Sequence, residues 1–155
     1  MRKNKLFSVC LLAAAWLASG TAKAWDEPTQ VDGVYQIGTA SELEWFAEYI
    51  NSANADNSAM LTSKAVLTAD IDLDGITHTP IGASTAYKFD GEFDGQHHRI
   101  KNMIINRPSE ERQGFFGDLR GNPNSRGEGT VIKNLIIDKS CSITAGNRAA
   151  GLIGT

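Results

Sequence analysis

Two hydrophobic periods divide the chain. Leu43, Phe46, Ala47 and Ile50 recur at i, i+3, i+4 and i+7, which places them on one face of an amphipathic helix. Ser41 followed by Glu44 predicts a capping box at its start, and the polar run from Asn51 to Ser58 ends it. Trp45 and Tyr49 flank the stripe, where they are expected to cover the end of a core rather than to form a platform for a sugar. Ahead of the helix, Gly33 to Ile37 predicts a short strand. From Lys64 onward the period becomes two. Leu67, Ala69, Ile71 and Leu73 alternate with Thr68, Asp70, Asp72 and Asp74, predicting one half-buried strand over 65–74. Phe89, Gly91, Phe93 and Gly95 alternate with Asp90, Glu92 and Asp94 in the same way.

Beyond that point the chain repeats itself. Ile100-Lys-Asn-Met-Ile-Ile105 returns as Ile132-Lys-Asn-Leu-Ile-Ile137, and Gly114-Phe-Phe-Gly117 returns as Gly151-Leu-Ile-Gly154. In the first copy Ile100, Met103 and Ile105 face inward, so the alternation must break at Lys101-Asn102, and a bend between two short strands follows. Asn102 and Asn134 suit such a bend, because Asn bonds nearby backbone and tolerates unusual dihedrals. The expected stack ladders Asn102 on Asn134 and sets Met103 near Leu135. Each Gly-flanked pair supplies two apolar side chains between tight turns. This is the signature of a solenoid, in which each coil buries its face against the next. The predicted fold is therefore mostly β, a parallel β-helix with one N-terminal helix as its cap.

Segment 1–24 stands outside this pattern. A basic start (Met1 to Lys5), an apolar run from Leu6 and the small-x-small triplet Ala22-Lys23-Ala24 have the layout of a secretory signal peptide cleaved after Ala24. The run is shorter than the roughly 20 apolar residues of a membrane span. The expected segments are thus a signal peptide at 1–24, a strand and capping helix at 25–63, and coils at 64–155. Removing Arg2, Lys3, Lys5 and Lys23 leaves 11 basic residues of the original 15 against 18 acidic ones, so the net charge moves from −3 to −7. Such a surface argues against nucleic acid or anionic lipid as partners. With Cys10 removed, Cys141 has no intrachain partner, and it is expected as a small residue in a strand.

Several clusters imitate catalytic or metal sites. Asp70-x-Asp72-x-Asp74-Gly75 copies half of an EF-hand loop, but the twelfth position, which needs a bidentate Glu, is Ile81. The carboxylates are expected on the outer face of a strand, with weak calcium binding left open. His97 and His98 point to opposite faces if they lie on a strand, so one metal does not easily take both. Asp90, Glu92 and Asp94, with Arg99, are the candidates for a polysaccharide-cleaving site. Carboxylates two residues apart on a strand lie about 6.5–7 Å apart, inside the roughly 5–9.5 Å window of glycosidases.

The order Tyr35-x-Ile-x-Thr-Ala-x-Glu-Leu, Leu67-Thr-x-Asp-Ile-Asp-Leu, Thr79-Pro-Ile-Gly82, Phe89-x-Gly-x-Phe-Asp-Gly-x-x-His98-x-Ile-Lys-Asn and Gly114-x-Phe-Gly117 resembles the N-terminal part of bacterial exported proteins with GLUG-motif repeats. The second Ile-Lys-Asn-Leu and Gly151-Leu-Ile-Gly154 resemble the start of the motif itself. The resemblance implies a right-handed β-helix in a secreted or cell-surface protein, with no catalytic residue and no cofactor. Related repeats occur in non-catalytic parts of IgA-cleaving metallopeptidases, whose H-E-x-x-H is missing here. The expected function is a non-enzymatic adhesion module or stalk with a host or matrix glycan or protein as ligand. The rival is a carbohydrate-active β-helix enzyme. The chain stops inside what would be a coil, so a fragment or truncated frame is expected, with a C-terminal edge open to strand addition.

Overall fold

The computed structural model describes residues 24–120 and 129–154. The segment 1–24 expected as a signal peptide, with Cys10, falls outside them apart from Ala24. Among the described residues the structure is mostly β, with one α-helix and a short 3-10 helix at Ser58–Thr62.

Strands β1 (Thr29–Val31) and β2 (Val34–Ile37) form an antiparallel hairpin. Its two turn residues, Asp32 and Gly33, have φ of 50° and 77°, the left-handed pair that fits a two-residue hairpin loop. Helix α1 (Ala40–Asn51) follows. Its capping box is Thr39 with Glu42, not the Ser41 with Glu44 predicted from sequence. The Thr39 hydroxyl accepts from Glu42 N at 3.2 Å, and Glu42 Oε2 accepts from Thr39 N at 3.0 Å. Both pairs satisfy the same pattern, and extended Thr39 (φ −133°, ψ 160°) settles which one caps. Ser41 instead accepts from Asp26 N at 2.9 Å, and Glu44 is buried. Leu43, Phe46, Ala47 and Ile50 are all fully buried, as the helical period predicts.

The strand predicted over 65–74 is two strands, β3 (Lys64–Leu67) and β4 (Ile71–Asp72), separated by a corner at 68–70. A straight ten-residue strand would run about 33 Å, too far for one small core to cover. The corner keeps Ala65, Leu67, Ile71 and Leu73 inside, each at 1 % exposure or less. The remaining strands are β5 (Glu92–Asp94), β6 (Arg99–Lys101), β7 (Ile104–Gln113), β8 (Val131–Lys133), β9 (Ile136–Ile137) and β10 (Ser142–Ala149).

Three sheets result. One has the order β1-β2-β3-β5-β8, one β4-β6-β9, and one pairs β10 with β7. Every pairing except β1 with β2 is parallel. The chain visits the sheets in the same order on successive passes: β3 then β4, β5 then β6 then β7, β8 then β9 then β10. Single bridges Ile81↔Phe116↔Ile153 and Phe89↔Leu119 extend the correspondence past the strands. The core lies between the sheets. Phe46, Phe89, Phe93, Phe115 and Phe116 are fully buried and meet at ring separations of 5.0 to 6.2 Å, mostly edge to face. Each such ring contributes about 1.5–3 kcal/mol of burial.

The pairing register corrects one expectation. Ile132 of β8 lies level with Phe93 and not with Ile100, while Ile100 lies between Ile71 and Ile137. The two Ile-Lys-Asn copies therefore sit at different corners, and Asn102 does not ladder on Asn134. Met103 does not lie over Leu135 either: Met103 O accepts from Ser142 N at 2.8 Å, and Leu135 passes beside Gly95. A Cβ on Gly95 would come within 2.5 Å of Leu135 Cα and Asn134 O, so only glycine admits this approach. The Gly-flanked repeat, by contrast, is in register. Phe116 pairs with Ile153, and Phe115 N donates to Gly151 O at 3.2 Å. Gly114 and Gly117 thus lie level with Gly151 and Gly154.

Candidate functional site

The polar groups that looked most like chemistry are gathered at strand ends. Asp72 ends β4, and its Oδ1 accepts from Asp74 N at 3.0 Å and from Asn102 Nδ2 at 2.8 Å. Asp94 ends β5 and repeats the arrangement, accepting from Gln96 N at 2.9 Å and from Asn134 Nδ2 at 3.0 Å. Asn102 and Asn134 both have left-handed backbone, φ 53° and 52°, a conformation Asn tolerates better than most residues. So each Ile-Lys-Asn copy makes the same joint: an Asp closes its own turn and takes the amide of an Asn from the next pass. Asp138, at the end of β9, closes its turn onto Ser140 N at 3.0 Å.

Ion pairs run across the strands. Glu92 meets Lys133 at 2.8 Å and Lys64 at 3.5 Å. Asp70 meets Lys101 at 2.7 Å, takes Arg99 N at 3.0 Å and has His98 Nδ1 at 3.4 Å. Arg99 faces Asp138 at 3.7 Å. The hydrogen bond from Lys101, then the one from Arg99 N, holds the Asp70 carboxyl down to about 2, and Asp70 raises Lys101 in turn. Asn102 first, then Asp74 N, lowers Asp72. Lys133 lowers Glu92, and Glu92 raises Lys133. Asp138 is lowered by Ser140. For Asp94, burial pushes upward, and Gln96 N, Asn134 and Lys133 together outweigh it, so the carboxyl is lowered. Asp94 is only 7 % exposed, which corrects its placement on an outer, solvated face.

These partners decide the earlier candidates. Asp70, Asp72 and Asp74 do not converge; the first two are engaged by Lys101 and Asn102. Among the described residues no group of three or more His, Cys, Asp or Glu is arranged to hold a metal. His97 and His98 are not on a strand. They lie in a turn between β5 and β6, His97 with φ of 63°, and His97 N donates to Asn134 O at 2.8 Å. Asp90 and Glu92 border a shallow recess with Thr62, Lys64 and Val131, while Arg99 belongs to the neighbouring sheet. Cys141 is half-buried, with its Sγ 3.3 Å from Ile100 O.

The pair that sequence reasoning missed is Glu44 with His78. Both are buried, at 1 % and 0 % exposure. His78 Nδ1 lies 2.5 Å from Glu44 Oε1, its Nε2 lies 3.1 Å from Phe115 O, and Thr79 N donates to Glu44 Oε2 at 3.2 Å. The ring stacks on Phe115 at 5.1 Å. Helix α1 is thereby tied to the 78–82 loop and to the pass carrying Phe115. Asn51 adds a second tie, donating to Pro80 O at 2.9 Å and accepting from Gly82 N and Ala83 N. The signal was present in His78, a lone ionisable residue just ahead of the apolar Pro80-Ile81. It names no partner, because Glu44 lies on a different element, far off along the chain.

No family model matches the chain, and no solved structure matches it significantly. Among curated proteins, halomucin of Haloquadratum walsbyi is 31% identical over 149 residues, covering 93% of this chain. The chain spans about 1% of the length of that relative. No helix among the described residues is long and apolar enough to cross a membrane.

Proposed function

We propose that this chain is a non-enzymatic β-solenoid module of an exported bacterial surface or secreted protein of the GLUG-motif type, serving as a binding module or stalk. The observation that carries the reading is the column of parallel registers. Ala65, Phe93 and Ile132 align across β3, β5 and β8, and Ile71, Ile100 and Ile137 across β4, β6 and β9. Stacked passes of this kind build a long, regular body from short strands, with α1 covering the first of them. The likeness to halomucin agrees with a surface or secreted setting, and the leader-like segment 1–24 supplies the route.

The electrostatics favour a structural role for the acids over catalysis. A glycosidase needs one carboxyl raised to serve as general acid. Glu92 and Asp94 are lowered by Lys133, Gln96 and Asn134, which keeps both ionised and committed to neighbouring strands. Two measurements test the proposal. Cell fractionation of the source organism is expected to place the protein in the envelope or medium, and recovery from the cytoplasm would overturn it. Incubation with neutral and acidic polysaccharides is expected to release no new ends. Product that disappears with Asp94→Ala would establish the enzyme reading instead.

A further inference from the structure

The pass made of β8, β9 and β10 is covered from one side only. Four inward columns run into it: Phe93 beside Ile132, Ile100 beside Ile137, Ile105 beside Ile143 and Phe116 beside Ile153. The earlier member of each column is buried at 1 % exposure or less, whereas the later one stays half-exposed. β8, β9 and β10 are each the edge of their sheet. β10 has β7 as its one partner strand, although parallel sheets are as a rule covered on both faces. Ile137, Cys141, Ile143 and Ala149 line a recess on this pass, beside Asp138.

The corner after β9 shows what this edge is shaped to receive. At two earlier corners one set of three bonds recurs. Asp72 Oδ1 takes Asp74 N and the Asn102 amide, while Leu73 N donates to Lys101 O at 3.0 Å. Asp94 Oδ1 takes Gln96 N and the Asn134 amide, while Gly95 N donates to Lys133 O at 2.9 Å. An Asp and the N–H after it thus hold an Asn, and the carbonyl before that Asn, on the next pass. Asp138 makes the first of these bonds, from Ser140 N to the same Oδ1 at 3.0 Å. Among the described residues no Asn amide reaches that oxygen, and no backbone carbonyl accepts from Lys139 N.

We propose that this edge docks a partner protein through a parallel strand–corner–strand segment of the pattern apolar-x-Asn-apolar. The Asn amide of the segment donates to Asp138 Oδ1, and the carbonyl before it accepts from Lys139 N. The apolar residue two positions ahead of the Asn covers Ile137, as Ile100 covers Ile71. The inference rests on the stacked-pass reading above and gives it a partner class. A second copy of this chain does not fit the role. Asn102 and Asn134, the left-handed Asn residues among those described, are already placed, and the opposite edge of the first sheet is β1, which runs antiparallel to β2.

The test adds a fluorescein-labelled peptide with the sequence of residues 99–113, which carries β6, the Asn102 corner and β7, to the purified full chain. A saturable rise in anisotropy is expected. Asn102→Ala in the peptide should weaken binding about 10-fold, and Asp138→Ala in the protein should do the same. Asp138→Asn, which keeps Oδ1 as an acceptor, should bind more tightly than Asp138→Ala. Hydrogen exchange should show new protection at Lys139 and along β9 and β10, and none in α1. The altered peptide decides the matter if Asp138→Ala fails to fold. No binding, equal binding of the Asn102→Ala peptide, or protection elsewhere alone would overturn the proposal. Self-association that shuts the peptide out would also overturn it and assign the edge to a second copy. If the peptide fails while Glu92→Cys with Val131→Cys still closes a disulfide, the docking inference falls and the stacked-pass reading stands; failure of both removes the reading as well.

Discussion

Removing the imidazole of His78 should be among the most damaging single changes in this protein, whereas Glu44→Gln should be nearly silent. Both ring nitrogens of His78 face acceptors, Glu44 Oε1 and Phe115 O, and Glu44 Oε2 takes the Thr79 N–H. In His78→Ala the Glu44 carboxylate stays buried without its partner, Phe115 O loses its donor, and a cavity opens against the Phe115 ring. Breaking a buried pair in this way costs about 3–5 kcal/mol. For a chain of this size that lowers the melting temperature by about 10–20 °C. Glu44→Gln has a way out. The Gln oxygen can accept from Thr79 N and its amide can donate to Nδ1, while Nε2–H still serves Phe115 O. Every buried group keeps a partner, so a loss below about 1 kcal/mol is expected. Urea denaturation followed by circular dichroism measures both. Equal losses in the two variants, or a loss below about 1 kcal/mol for His78→Ala, would refute the hydrogen-bond assignment and the tie between α1 and the later pass.

Gly95→Ala is expected to cost about 1–3 kcal/mol, since the new methyl would meet Asn134 O and Leu135 Cα at 2.5 Å; an unchanged urea midpoint would contradict that approach. Asn134→Ala should lose about 1–2 kcal/mol from left-handed strain together with the bond to Asp94. Asn134→Gly should lose less because it keeps the backbone free, and the reverse order would count against the corner. Stability should fall as pH drops between about 4 and 2. Asp70, Asp72, Glu92, Asp94 and Asp138 are all lowered on folding, so their contribution is complete above the unfolded value and is lost as pH drops through the folded one. Melting scans across pH would show this, and a maximum near about pH 3 would disprove it.

What was legible in the sequence was local. The helix face from Leu43 to Ile50 follows from its 3.6 period, and the inward set Leu67, Ile71, Leu73, Ile100, Met103 and Ile105 follows from alternation and its break at Asn102. Register was harder. The two copies of Ile-Lys-Asn invite a stack, yet backbone pairing sets Ile132 beside Phe93 rather than Ile100. The reason is that the motif describes a corner, an Asp–Asn joint with left-handed backbone, and corners recur at more than one place around a pass. The Gly-x-x-Gly pairs do stack in register, Phe116 opposite Ile153, and at Gly114 and Gly154 neighbouring backbone lies too close for a Cβ. Glu44 and His78 stayed hidden because only the fold brings helix and loop together, whereas Trp45 and Tyr49, expected as cover for the end of the core, do pack against it.

The pairing register is tested most directly by a pair of cysteine variants in a Cys141→Ser background. Glu92 and Val131 are parallel register partners, at the Cα separation of adjacent strands, about 4.8 Å, which lies within disulfide range. Glu92→Cys with Val131→Cys should close an intramolecular disulfide under mild oxidation, seen as the mass loss of two hydrogens in the intact protein. Arg99→Cys with Val131→Cys, the pair that would align if the two Ile-Lys-Asn copies lay over one another, should remain reduced. Closure of the second pair in preference to the first would contradict the account.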